Sequence, residues 1–370
     1  MSLKTVVRIA LAAGLVFVLG RAAPAQQIQY VFHISVDGLR PDGVTNLLAA
    51  GTGNLPSFFR LRSQGAFTDN ARCDYDYSVT LPNHVTQLTG RPVLGTTGHH
   101  WTSNSDPPSG ATLAGTNGPY IAGAFDVAHD NGLRTGEYAS KSKFVLFQTS
   151  WNATNGALDV TGTDNGRSKI DNYVNNSNTM SLVGSMIVQM KASPMNYVFL
   201  HLTDLDTVGH NSGWDTTLGS TYSNTLRDTV DAELGDIFEM IDGDSRFAGH
   251  TAIVLTADHG GYGTDHSDAA RYEDYRIPFY VWGPGVTAGA DLYGLNGGGI
   301  RNDPGTSRVA YSLAGDAIRN GEAGNLALDL LGLGPIPGSM INYSQNLAVP
   351  EPATLALLSL GAVAALRRRR

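Results

Sequence analysis

The chain has 370 residues, with 25 basic and 33 acidic side chains, a net charge of −8 and one cysteine. This balance provides no basic surface for a nucleic-acid backbone, and Cys73 alone excludes an intramolecular disulfide. The length suits one large α/β domain with insertions better than several small domains.

Lys4 and Arg8 lead into an apolar run over residues 9–19, and Ala23-Pro24-Ala25 offers small residues before Gln26. Residues 1–25 therefore read as a secretory signal peptide. The run is well short of the roughly 20 apolar residues a membrane span needs. At the other end, Pro350-Glu351-Pro352 precedes a small-apolar stretch over 353–366 and then Arg367, Arg368, Arg369 and Arg370. A short greasy segment closed by four Arg reads as a membrane stop whose basic end stays in the cytoplasm, too short for a comfortable permanent span. The main domain is expected over 26–348 and the tail over 349–370. Without the basic residues of both ends and Glu351, the remaining chain carries a net charge of about −14, so handling phosphate would require positive charge from bound metal ions.

Along the core, residues 30–36 read as a buried strand, followed by helices around 44–50 and 56–64. A helix over 121–131 leads to a strand near 133–139, and a helix over 180–191 precedes a strand over 197–202. A charged amphipathic helix over 225–241 precedes a strand over 251–256, with another strand at 277–282 and a late helix at 326–331. Such alternation predicts a mostly parallel central sheet covered by helices on both faces. Residues 102–119 and 148–179, rich in Gly, Ser, Thr and Asn, read as long surface loops or a small cap. Residues 294–305 read as a Gly-rich loop.

The chemistry sits at the ends of these runs. Asp37 follows the first strand, where ligands gather in open α/β sheets, and Gly38 allows a sharp exit. Asp42, after Pro41, suits a helix-capping role. Thr80 stands just ahead of Pro82 and a helix-like run over 83–88, at the positive end of a helix dipole. Asp206 and His210 are four apart, a spacing that lets both reach one ion from one helical turn. Asp258 and His259 close another strand and can face one metal only if the chain turns at Gly260-Gly261. His266 follows in a loop. His201 reads as a core histidine, and His33, His84, His99, His100, His129 and His250 as packing or surface residues. Lys141 and Lys143 read as a solvated strand end. The mixed His/carboxylate set favours Zn²⁺, with Mn²⁺ or Fe also compatible.

Taken together, Thr80-Leu81-Pro82-Asn83-His84, Asp206-Thr207-Val208-Gly209-His210 and Asp258-His259-Gly260-Gly261 resemble the alkaline phosphatase superfamily, and within it the type I phosphodiesterase/nucleotide pyrophosphatase family. The resemblance covers about residues 30–340. It implies two divalent metal ions, one held by Asp206, His210 and His266, the other by Asp37, Asp258 and His259, with Thr80 on the second. Thr80 is then the nucleophile that forms a phosphothreonine intermediate, and Asn104 is the candidate contact for a phosphoryl oxygen. The implied substrate is a small phosphate ester, with diesters or pyrophosphates expected for want of an evident cationic clamp. Leu81 replaces the family's aromatic residue, and Lys143-Phe144-Val145-Leu146-Phe147 stands where the family has Trp-Pro-Gly, which weakens the case for nucleotides. The tail resembles the PEP-CTERM sorting signal, implying export, transient membrane contact and an exosortase-type processing partner. Rival readings are a phosphomonoesterase or phosphonate hydrolase on the same metals, and a non-catalytic surface or matrix protein on this fold. A sulfatase fits poorly, because Cys73-Asp74-Tyr75-Asp76-Tyr77 lacks the formylglycine pattern.

Overall fold

A computed structural model describes residues 28–158, 168–297, 301–311, 316–341 and 345–347. The expected signal peptide and sorting tail lie outside the described residues. Eight strands form one sheet: β1 (Tyr30–Val36), β2 (Ala66–Arg72), β3 (Thr135–Ala139), β4 (Asn172–Asn175), β5 (Tyr197–Leu202), β6 (Thr251–Thr256), β7 (Arg276–Trp282) and β8 (Ala290–Asp291). Their order is β4-β3-β5-β1-β6-β7-β2-β8.

The β4-β3-β5-β1-β6 portion is parallel throughout, and β7 runs antiparallel to β6 and β2. Strand β1 lies at the centre, with Val31 opposite Tyr197 on one side and Tyr30 opposite Thr251 on the other. Its sequence, rich in aromatic and β-branched residues, suits a strand buried on both faces. Because the five central strands are parallel, their carboxyl ends share one edge, where open α/β sheets gather ligands.

Alternate residues of β1 point to opposite faces. His33 and Ser35 bond to Gln87 and His84 of the helix Thr80–Thr89. That helix packs with Ala323–Leu330, which also covers β1 and β6. A second helical group, Pro56–Gln64, Thr179–Ala192 and Asp231–Gly243, packs together through the last of these.

The predicted strands and helices are present with shifted ends. The helix expected over 225–241 is a longer run through Thr221–Thr225, a wider π-type turn at Leu226–Val230, and Asp231–Gly243. Asp42 lies inside the first turn of Pro41–Ala50, paired with Arg40 and Arg276, while Arg40 holds the cap position. Sequence reading missed β2, β4 and β8. Strand β2 is polar and shifts register between Thr68 and Ala71, and β4 lies within the stretch expected to be loop.

Candidate active site

Strand β1 delivers Asp37, whose N–H continues the ladder to the Leu202 carbonyl (2.9 Å). Gly38 then turns with φ +71°, and a Cβ there would come within 3.0 Å of Trp214 Nε1 and 3.3 Å of the Asp206 backbone. Its N–H donates to Asp258 Oδ1 (3.1 Å), which also accepts from the His259 N–H (2.9 Å). Asp206 and His210 lie on one face of the helix Asp204–Ser212, with Oδ1 and Nε2 3.3 Å apart. Trp214 Nε1 donates to the Gly38 carbonyl (2.9 Å), and its indole fills the space that a Cβ at Gly209 or Gly261 would occupy. Those glycines let the His210 and His259 segments close over one centre.

The three imidazoles are fixed alike. Nδ1 of His210 meets the Thr264 carbonyl (3.0 Å), Nδ1 of His259 the Gly260 carbonyl (2.8 Å), and Nδ1 of His266 the Ser78 carbonyl (2.7 Å). A carbonyl can only accept, so each Nδ1 carries a proton, and each Nε2 presents a lone pair once the ring is neutral. Such anchoring orients a histidine as a metal ligand.

The free atoms converge. His266 Nε2 is 3.2 Å from His210 Nε2 and 3.6 Å from Asp206 Oδ1. His259 Nε2 is 3.3 Å from Asp37 Oδ1, 3.2 Å from Asp258 Oδ2 and 4.0 Å from Asp206 Oδ1. Asp37 Oδ1, Asp206 Oδ1, Asp258 Oδ2 and His259 Nε2 are buried with no hydrogen-bond partner among the described residues. Ligands about 2.0–2.1 Å from a tetrahedral ion stand about 3.3–3.4 Å apart, so these spacings fit two zinc-like sites. The groups Asp206/His210/His266 and Asp37/Asp206/His259 each converge closely enough to hold an ion, with Asp258 touching the second through His259.

The electrostatics point the same way. Burial, reinforced by the charge of Asp37, pushes Asp258 well above the carboxylate range. Asp37 itself is held well below that range: burial opposes its ionisation, but Lys141, His201 and His259 outweigh it. Burial opposes the charge of His259 too, yet the neighbouring carboxylates, Asp258 foremost, raise it to about 9. Burial, then the adjacent His259, lowers His266 to about 3. Three carboxylates face one lysine here, a surplus of negative charge that bound cations would relieve.

Thr80, the first residue of its helix, is buried at the same centre. The structure also brings in groups that sequence reading had set aside. Lys141 Nζ bonds to Asp37 Oδ2 (2.6 Å) and Asp206 Oδ2 (2.7 Å) and lies 3.5 Å from Thr80 Oγ1. It uses the outer oxygens, leaving both Oδ1 atoms free. Lys143 Nζ donates to the carbonyl and Oδ1 of Asn104, and Asn104 Oδ1 accepts the Leu81 N–H (2.8 Å), so Asn104 adjoins the Thr80 turn. The buried His201 receives the Ser140 N–H at Nδ1 and donates from Nε2 to Asp37 Oδ2 (3.0 Å). His84 donates from Nδ1 to the Thr80 carbonyl (2.8 Å) and accepts from Ser35 Oγ (2.8 Å). The only advance signal for the lysines was their place just beyond a strand's carboxyl end.

A helix that begins at the buried Thr80 beside two His/Asp clusters at the carboxyl edge of a parallel sheet fits a hydrolase of the alkaline phosphatase class. Residues 31–278 match the type I phosphodiesterase / nucleotide pyrophosphatase family, and the chain belongs to it. Residues 348–370 match the PEP-CTERM protein-sorting motif, which marks an exported protein with a C-terminal sorting signal. No curated protein matches the chain.

Solved structures share the fold at low identity. Murine ectonucleotide pyrophosphatase / phosphodiesterase 5, an inactive variant in complex with AMP, is 14% identical with a TM-score of 0.55, covering 84% of this chain and 96% of its own. A sulfatase from Bacteroides thetaiotaomicron, solved in work on glycosaminoglycan metabolism, is 12% identical with a TM-score of 0.55, over 86% of this chain and 76% of its own. An alkaline phosphatase superfamily protein from Vibrio parahaemolyticus is 14% identical with a TM-score of 0.54, over 88% and 72%.

Proposed function

We propose that the protein is an exported hydrolase of phosphoric esters that works through a phosphothreonine at Thr80. The observation that carries this reading is the convergence of three Nε2 lone pairs and three orphaned carboxylate oxygens beside Thr80. Two divalent ions, Zn²⁺ before others for this donor set, would be held by Asp206, His210 and His266 and by Asp37, Asp258 and His259 with Thr80, supplying positive charge that acidifies the hydroxyl and neutralises phosphoryl oxygens. Thr80 Oγ1 attacks phosphorus in line with the leaving alcohol. Water then cleaves the phosphothreonine and restores the hydroxyl. Asp37, Asp206 and Lys141 form an ion-paired frame around the hydroxyl. The helix N-terminus favours the developing negative charge.

The lysines bear on the substrate. A diester presents one negative charge at phosphorus and a monoester up to two. Lys141 lies 3.5 Å from Thr80 Oγ1, and Lys143 bonds to Asn104, which receives the Leu81 N–H, so two ammonium groups lie close to the Thr80 turn. This clamp favours phosphate monoesters. The second reading, diesters or pyrophosphates, is supported by the family match. Purified protein should give a higher kcat/KM for an aryl phosphate monoester than for the matched methyl diester. The reverse order would return the assignment to diesters, and turnover of an aryl sulfate alone would move it to sulfate esters.

Both chain ends are read as processed, with residues 1–25 and the segment after 349 removed, the latter by an exosortase-type enzyme. Intact-mass measurement on protein from the native host tests this, and a mature chain ending in Arg370 would overturn it.

A further inference from the structure

A polar groove of about 650 Å³ opens beside the nucleophile, lined by Lys141, Ser142, Lys143, Asn175, Asn176 and Ser177. Lys141 links it to the reaction centre, since it lines the groove and its Nζ lies 3.5 Å from Thr80 Oγ1. Its size falls within the range typical of small-molecule sites, about 300–1,000 Å³. Its lining is unusual for such a site: hydroxyls, amides and ammonium groups, with no aromatic or aliphatic side chain.

The aromatic residues nearby face elsewhere. Phe144 and Phe147 follow Lys143 directly, yet both are fully buried, and Phe144 packs on His84 and His201. Leu81, next to the nucleophile, is fully buried as well. Nothing in the groove offers a flat apolar face to a nucleobase or an aryl ring.

The walls are held by the sheet. Asn175 closes β4 opposite Ala139 of β3, and its Nδ2 donates to the Ala139 and Lys141 carbonyls (3.1 and 2.7 Å). Asn176 uses Oδ1 to receive the Asn178 N–H (3.0 Å), and Ser142 Oγ donates to Asp106 Oδ1 at the rim (2.8 Å). An apolar ring placed here would strip water from hydroxyls and amides without returning hydrogen bonds, which costs binding energy. A polyhydroxylated group would exchange those waters for direct bonds.

We propose that this groove receives the leaving group and that the leaving group is a polyol of sugar or glycerol type, not a nucleoside or aromatic alcohol. The inference rests on the phosphoric-ester reading of the Thr80 site. Glucose 6-phosphate, glycerol 1-phosphate, n-propyl phosphate and adenosine 5′-monophosphate are esters of primary alcohols, so their kcat/KM values isolate recognition from leaving-group chemistry. The same four alcohols as methyl diesters cover the other ester class.

We expect the sugar and glycerol esters to exceed the propyl and adenosine esters by about tenfold or more, the scale at which a site built for hydroxyls discriminates. Ser177→Phe, which places a ring in the groove, should lower the glucose-to-propyl ratio measured on one preparation by a similar factor. A propyl or adenosine ester turned over as fast as the sugar ester, or an unchanged ratio in Ser177→Phe, would overturn the polyol assignment and leave the ester reading standing. No turnover of any of the eight compounds would overturn both.

Discussion

The two ligand groups at the sheet edge are built differently. Asp37, Asp258 and His259 are fully buried, Asp37 directly after β1 and the other two just beyond β6. Asp206, His210 and His266 come from a helix and a loop, and the His210 side chain is 44% exposed. The first group concentrates carboxylate charge in a dry, rigid place, where an unpaired charge is costly and a cation correspondingly stabilising. The second pairs one carboxylate with two imidazoles at the solvent boundary, where an ion can exchange and water can arrive. On the proposed mechanism the buried group would hold the ion beside Thr80, and the exposed one would face the solvent from which the hydrolytic water is drawn.

The largest effect is expected at Thr80, the hydroxyl proposed to join the buried group. Thr80→Ala should reduce kcat by about three orders of magnitude or more while metal content, measured by elemental analysis, stays near that of the parent. Retained activity would mean direct attack by water.

Next in size is the contrast between the groups. Asp258→Asn removes a carboxyl that burial and Asp37 keep from ionising, so the chelator-treated variant should melt several degrees above the chelator-treated parent and gain less on zinc addition. His210→Asn should leave the metal-free melting temperature nearly unchanged and lose about one metal equivalent. Equal responses of both variants would erase the division between the groups.

Smaller again is the lysine clamp. Lys143→Ala should lower kcat/KM for a monoester by about 10²-fold, the scale of one removed electrostatic contact, and for the matched diester by much less. A parallel fall on both esters would make Lys143 a support for Asn104 alone.

The buried group was the more legible of the two in sequence. Asp37 and Asp258 end apolar runs of seven and six residues that can only be buried strands, and the glycines after them signal the turn. Spacing likewise exposed Asp206 and His210, since i and i+4 meet on any helix. Lys141 and Lys143 were read as solvated because charge after a strand ordinarily is. What places them at the centre is strand order: β3 lies one strand from β1, across β5, and no local pattern encodes that. His201 was read as a core histidine and is buried; His84, read only as a packing or surface residue, is buried too, and their partners, Asp37 and the Thr80 carbonyl, are set by tertiary packing. Strand β2 escaped notice because its polar residues and register shift break the alternation that marks a strand.

The smallest effect concerns a buried carboxyl away from both clusters. Glu233 on the helix Asp231–Gly243 is 2% exposed, and neither side-chain oxygen has a hydrogen-bond partner among the described residues. Asp37 and Asp258 each keep one such oxygen, but theirs lie beside imidazoles. Burial, with the charges of Asp204 and Asp236, pushes Glu233 from 4.5 to about 8, although Thr179 acts in the opposite direction. The folded state therefore favours its protonated form. Its stabilising contribution is full below pH about 4.5 and is lost as pH rises through about 8. Glu233→Gln keeps the shape and removes the ionisation, so the variant's melting temperature should fall less than the parent's between pH 6 and 9, by a few degrees at the alkaline end. Thermal melts across that range, with saturating zinc to hold the metal sites constant, measure the difference. Parallel pH profiles would mean that Glu233 gains a partner or water in solution, and that an orphaned buried carboxylate marks something special only beside histidines.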